Sequence, residues 1–260
     1  MIIDADCHIT PVEGGLGIQT EELIGRMDYA GVDKALTWLQ PAYFPNVDDG
    51  NALVYDATQK YPDRILGFGW ADPNFGLAAA KDQIKQCIEQ YGFYGVKLNG
   101  AQNNFFIDSE DKALPLIEEI AKHETILAFH IGSDFYENTH PFRMAKIAKR
   151  FPQTQILCVH MGGVAFHDLS NAAIEAAQAC PNISMIGSAV RAVNILRAIK
   201  TLGADRVCFG SDTPFAMMHV ELAMYEALMR DEVTQKERAL ILGGNIARLF
   251  NLSDVKCYGC

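Results

Sequence analysis

Residues 1–8 read MIIDADCH. Three apolar residues open the run, and two carboxylates and an imidazole follow within five positions. The opening suits a buried strand of a parallel sheet. On strict alternation Asp4, Asp6 and His8 share one face, and Ala5 and Cys7 the other. A core strand that ends in charge is delivering that charge to somewhere particular. The fold follows from whether the rest of the chain repeats the arrangement.

It does. Short apolar runs recur at DKALTWL (33–39), RILGFGWA (64–71), YGVKL (94–98), TILAFH (125–130), TQILCVH (154–160), NISMIG (182–187) and DRVCFG (205–210). With the first they make eight runs, short enough for buried parallel strands. Between and after them lie stretches with helical patterning: 20–31, 77–92, 109–123, 140–152, 166–181, 189–203, 219–231 and 234–250. The first opens on Thr20 as a cap with two glutamates behind it and ends at Gly31. Pro115 inside 109–123 predicts that the first turn there is separate from the rest. Strand–helix alternation at this spacing predicts an α/β fold, a (β/α)8 TIM barrel. A doubly wound sheet is the runner-up, but HITPVEGGLG after the first run lacks the glycine fingerprint that such folds carry. One domain is expected over 1–260, with 251–260 as a C-terminal tail.

The chain has 260 residues, 49% hydrophobic and 21% charged, with formal net charge −10. That balance argues against nucleic acid, which requires a basic face, and against anionic lipid. No run approaches the roughly 20 apolar residues of a membrane span, and no leader pattern opens the chain. Seven cysteines, an odd number, are scattered rather than patterned. Cytoplasmic residence is expected, with Cys158 and Cys208 as core residues and Cys257–Cys260 as an inert terminal pair.

In a barrel of this kind, chemistry sits at the C-terminal ends of the strands. The first run ends at Asp6 and His8, the fifth at His130 and the sixth at His160. Asp212 follows the eighth, and Lys97 lies in the fourth. Such imidazoles and carboxylates around one mouth suit one divalent ion, zinc or manganese. The remaining histidines fit other places: His123 at a helix end, His140 as a helix cap, and His167 and His219 on helices near the mouth. Trp38, Tyr43, Phe44, Trp70 and Phe215 fall at or just past strand ends, where they can line the mouth or pack over it.

The chain resembles the amidohydrolase superfamily, in its amidohydrolase-2 branch of metal-dependent hydrolases, lactonases and decarboxylases of resorcylate and aminocarboxymuconate semialdehyde. The resemblance rests on IIDADCHI, GVDKAL, YPDRILGFGWADP, GVKL, LAFHIG, CVHMGG, FGSDTP and GGNIARLF, in order along the whole chain. It implies that Asp6, His8, His130 and Asp212 bind the metal. His160 would stand beside it, orienting a water or a substrate oxygen, and Asp212 would double as proton carrier. Asn245 and Arg248 would be structural. The family's usual His-x-His is here Asp6-x-His8, a substitution that resorcylate-type decarboxylases tolerate. Lys97, Arg191 and Trp70 are candidates for contact with a small-molecule substrate, itself a carboxylate. A homodimer is expected by analogy.

The primary expectation is hydrolysis of an amide, ester or lactone by a metal-activated water. The alternative is non-oxidative decarboxylation of an aromatic or unsaturated acid, towards which Asp6 tilts. A third reading, a barrel without catalysis or without metal, predicts degraded strand ends, and these are intact.

Overall fold

A computed structural model describes residues 1–11, 17–40, 47–132, 134–163 and 168–252. The eight apolar runs are strands: β1 (Ile3–Ile9), β2 (Lys34–Leu39), β3 (Ile65–Gly67, continued by Gly69–Trp70), β4 (Gly95–Leu98), β5 (Ile126–Gly132), β6 (Ile156–Gly162), β7 (Ile183–Ile186) and β8 (Val207–Cys208). All pair in parallel, each with its neighbour in sequence. The break at Phe68 is bridged by its amide, which donates to Thr37 O at 3.0 Å. The ring closes where Ala5 N donates to Phe209 O (3.0 Å) and His8 N to Thr213 O (2.7 Å). The outcome is the expected (β/α)8 barrel.

Helices α1 (Thr20–Ala30), α2 (Val47–Lys60), α3 (Leu77–Lys85), α4 (Ala113–Lys122), α5 (Pro141–Arg150), α6 (Ser170–Ala179), α7 (Ala192–Leu202) and α8 (Met218–Met229) surround it, followed by α9 (Gln235–Ala239) and α10 (Asn245–Leu249). Three details depart from expectation. Gln19, not Thr20, is the cap of α1. Helix α2 has no counterpart among the expected helices; Gly50 lies within it, and a Cβ there would come within 2.8 Å of Leu39, so the gap in the pattern is a packing contact. The expected single helix over 234–250 breaks at Gly243, where a Cβ would meet Met1 O at 2.7 Å. That close approach folds the end of the chain under the barrel. Pro115 sits in the first turn of α4, and Ser109 Oγ accepts from Ala113 N at 3.0 Å ahead of it.

Two large apolar layers result among the described residues. Ile3, Ala5, Leu36, Trp38, Leu66, Phe68, Ile126, Ala128, Leu157, Val159, Ile186 and Cys208 pack together, joined by Ile246, Ala247 and Phe250. A larger layer, which includes Cys7, Ile9, Leu23, Met27, Cys158 and Tyr225, packs strands against helices. Ile3 and Ala5 thus belong to one layer and Cys7 and Ile9 to the other, although all four are odd-numbered. The register of β1 against β2 shifts between Asp4 and Cys7, and this irregularity reverses the alternation. The expectation that Ala5 and Cys7 share a face is corrected accordingly. Asp4 lies opposite Ala5, while Asp6 and His8 reach the barrel interior.

The closing helix is anchored by one side chain. Asn245 Nδ2 donates to Ala204 O (2.7 Å), in the turn ahead of β8, and to Val207 O (2.8 Å), at the start of β8, and the residue is fully buried. Asn245→Ala should cost about 2–4 kcal/mol, because two buried carbonyls lose their donor. Urea unfolding of the variant checks this, and a loss under 0.5 kcal/mol would refute the anchoring role.

Candidate active site

Asp6, His160 and Asp212 come together at the C-terminal ends of β1, β6 and β8. One ligand atom from each lies within 4.8 Å of the others. Asp6 is fully buried and His160 is 4% exposed. His160 and Asp212 both hold left-handed backbone conformations, with φ of +69° and +62°. For non-glycine residues each such conformation costs on the order of 1–3 kcal/mol and persists only where the surroundings impose it. Asp212 is imposed by its loop: Phe215 N and Ala216 N donate to its carbonyl at 2.8 and 3.2 Å, and Thr213 is tied to His8 N.

Asp4 braces the same loop. Its Oδ1 accepts from Ser211 N (2.9 Å) and Asp6 N (3.1 Å), linking β1 to the segment after β8. Its Oδ2 has no hydrogen-bond partner, and burial raises its carboxyl to about 7. Burial, and then Asp4, push the Cys7 thiol well up, which makes it inert.

His8 is fixed by both nitrogens. Nδ1 lies 2.8 Å from Leu39 O, which can only accept, so Nδ1 carries the proton. Nε2 then accepts from Trp38 Nε1 at 3.0 Å and stands 3.3 Å from Asp6 Oδ1 and 3.6 Å from Asp212 Oδ1. His130 packs edge-on against His160, ring centroids 4.6 Å apart, and its Nε2 has no hydrogen-bond partner. Burial, reinforced by His160 and Lys97, holds His130 well below the usual imidazole range, so it is neutral.

Lys97 is wholly buried, with Nζ 3.8 Å from the centroid of the Trp38 ring and 4.0 Å from Asp6 Oδ1. The indole face and the carboxylate compensate the ammonium. Burial lowers it to about 8, against the pull of Asp6 and Asp212. Burial would raise Asp6, but Lys97, ahead of His8 and His160, outweighs it and keeps the carboxyl ionised.

Ser188, which sequence reasoning did not single out, belongs to this group. Its hydroxyl donates to Asp6 Oδ2 and lies 3.0 Å from His160 Nδ1. Phe215 sets its ring edge-on to His8, centroids 5.6 Å apart, and is 40% exposed, an aromatic wall at the mouth. Trp70 is sealed: it is fully buried, and its indole nitrogen donates to Asn103 Oδ1 at 2.9 Å. Arg191 stands apart, 65% exposed and 3.7 Å from Asp168. His140 caps α5, accepting from Phe142 N at 3.2 Å, and His219 lies against Tyr29. Tyr43, Phe44, His167, Cys257 and Cys260 lie outside the described residues.

A divalent ion fits this group. Asp6 Oδ1 and His130 Nε2 are buried polar atoms without a hydrogen-bond partner. Each such atom is costly unless something satisfies it, and mixed nitrogen and oxygen donors suit manganese or zinc. Among the described residues no helix is long and apolar enough to cross a membrane.

An amidohydrolase family model matches residues 3–252. The chain belongs to the amidohydrolase family. Among curated proteins it is similar to a gamma-resorcylate decarboxylase of Polaromonas sp. strain JS666, 24% identical over 254 residues, covering 78% of this chain and 75% of that one. Among solved structures it is similar to a 2,6-dihydroxybenzoate decarboxylase from Rhizobium (TM-score 0.78, 20% identity, 96% of this chain and 98% of that one). A dihydroxybenzoic acid decarboxylase from Polaromonas sp. JS666 is also similar (TM-score 0.75, 18% identity, 96% and 97%); its crystal holds manganese and the inhibitor 2-nitroresorcinol. These relatives correct the primary expectation. They are decarboxylases, so hydrolysis of an amide, ester or lactone gives way to the alternative. The expectation of an enzyme stands.

Proposed function

We propose that this chain is a metal-dependent, non-oxidative decarboxylase of a small aromatic carboxylic acid. What supports the reading most is the strand-end group itself, with Asp6 where the family's usual pattern has histidine, in a chain similar to a curated gamma-resorcylate decarboxylase. A divalent ion held by Asp6, His160 and Asp212, with His8 and His130 alongside, would supply the positive charge that anchors substrate oxygens.

The side chains divide the remaining work. Asp212, 14% exposed while Asp6 is sealed, is the carboxylate able to exchange protons with solvent and substrate. It delivers a proton to the ring carbon that bears the carboxylate. The carbon–carbon bond then breaks, its electron pair restores the ring and CO₂ leaves. No redox partner enters the balance. Lys97, 4.0 Å from Asp6 Oδ1, offsets the charge of Asp6. Phe215 offers an edge against a flat ring and narrows access of water.

The test is turnover. Protein reconstituted with Mn²⁺ is incubated in D₂O with 2,6-dihydroxybenzoate and other hydroxybenzoates. The expected result is one CO₂ per product and one deuterium at the vacated ring carbon. Full recovery of every acid, with no CO₂, would overturn the proposal.

A further inference from the structure

We infer that Ser188 is a positioning residue that orients two of the proposed metal-holding side chains through one hydroxyl. The inference rests on reading the strand-end group as a metal centre.

The hydroxyl has one hydrogen and two neighbours. Asp6 Oδ2 can only accept, so the hydrogen goes there. The oxygen is then left to accept from His160 Nδ1, 3.0 Å away. Ser188 O, 3.3 Å from the same nitrogen, also can only accept, which again places a proton on Nδ1. His160 is therefore the Nδ1–H tautomer, and Nε2 carries the lone pair. Asp6 is turned likewise: Oδ2 is taken by Ser188, and Oδ1 is the oxygen without a partner. The hydroxyl thus turns both side chains, and at His160 the backbone carbonyl of Ser188 supports it.

The backbone around Ser188 is held accordingly. Gly187 N donates to Cys208 O at 3.1 Å, and Tyr225 Oη donates to Gly187 O at 2.9 Å. Ala189 follows with φ of +49°, turning the chain away directly after the serine. Ser188 is fully buried, so no water can take over its bonds without rearrangement. Such outer partners set the tautomer and orientation of ligands, and their loss costs about 10- to 100-fold in metal affinity.

The test needs no turnover. Long-range ¹H–¹⁵N spectra report the tautomer of His160 in metal-free protein, assigned with a His160→Gln variant, and chelator competition reports Mn²⁺ affinity. Wild type should hold His160 as Nδ1–H. Ser188→Ala keeps only the longer contact of Nδ1 with the backbone carbonyl, so the Nδ1–H share should fall and Mn²⁺ should weaken by about 10- to 100-fold, while Ser188→Thr restores both. If Ser188→Ala does not fold, the isosteric pair Ser188→Thr and Ser188→Val carries the test, and only the threonine should keep the wild-type tautomer. An Nε2–H tautomer in wild type, or an alanine variant unchanged in tautomer and affinity, overturns the inference. Wild-type protein that binds no Mn²⁺ overturns it too, together with the metal reading. Absence of CO₂ release alongside the expected tautomer and Mn²⁺ effects removes only the decarboxylase reading.

Discussion

Asp212→Asn should lower the proposed decarboxylation by about 10²- to 10⁴-fold, the range that a positioned proton carrier contributes. The exchange is close to isosteric, and the left-handed backbone at this position tolerates asparagine well. The loop keeps its other ties: the amides of Phe215 and Ala216 on the Asp212 carbonyl, Thr213 O on His8 N, and the Asp4 brace at Ser211. Thermal unfolding should therefore stay within about 2 °C of wild type, since changes outside packed or braced features seldom exceed 0.5 kcal/mol. What disappears is a negative charge 3.6 Å from His8 Nε2 and the capacity to carry a proton. Asparagine also holds a cation less tightly, so turnover is measured at saturating Mn²⁺ with bound metal quantified. Turnover within threefold of wild type under those conditions would take Asp212 out of the proton transfer.

The barrel was legible in the sequence because burial on both faces makes each strand a short apolar run. The strand ends were legible because Asp6, His130 and His160 interrupt those runs and Asp212 follows just past the last. Three things were hidden, each for a physical reason. The irregularity in β1 obeys no residue code: Asp4, Asp6 and His8 look equivalent until the register shift sends Asp4 to brace the Asp212 loop and the other two inward. Helix α2 hid because Gly50 weakens its propensity; its reason, contact with Leu39, is tertiary. Ser188 hid because a lone serine after a strand is common, and only its joint contact with Asp6 and His160 marks it. Trp38 and Trp70 were visible as aromatics at strand ends, yet both are wholly buried. Trp38 spends its indole N–H on His8 and its face on Lys97. Charge patterning thus finds the ionisable residues of the strand-end group, and misses the neutral groups that touch them.

The second large effect belongs to Gly132→Ala, expected to cost about 3–4 kcal/mol by combining left-handed strain with overpacking. Gly132 lies two residues past His130 with φ of +73°, opposite Gly162, which lies two past His160 with φ of +96°. A Cβ on Gly132 would sit 2.0 Å from Gly162 O and 2.3 Å from its carbonyl carbon. These are backbone atoms, so no rotamer relieves the clash; β5 and β6 must separate. The register of the two strands shifts between His130 and Gly132, and this is where the His130 and His160 rings come within 4.6 Å. The cost is therefore a large part of the 5–15 kcal/mol that holds a typical domain folded, and it falls on the strand pair that carries two site imidazoles. The melting temperature should drop by roughly 6–16 °C at about 2–4 °C per kcal/mol, with weaker Mn²⁺ retention in whatever folds. Gly25→Ala is the contrast: within helix α1 an added Cβ meets nothing within 4 Å, and the helix gains about 1 kcal/mol. If Gly132→Ala melts within 2 °C of wild type, β5 and β6 separate without cost, and the close glycine crossing does not hold the two histidines together.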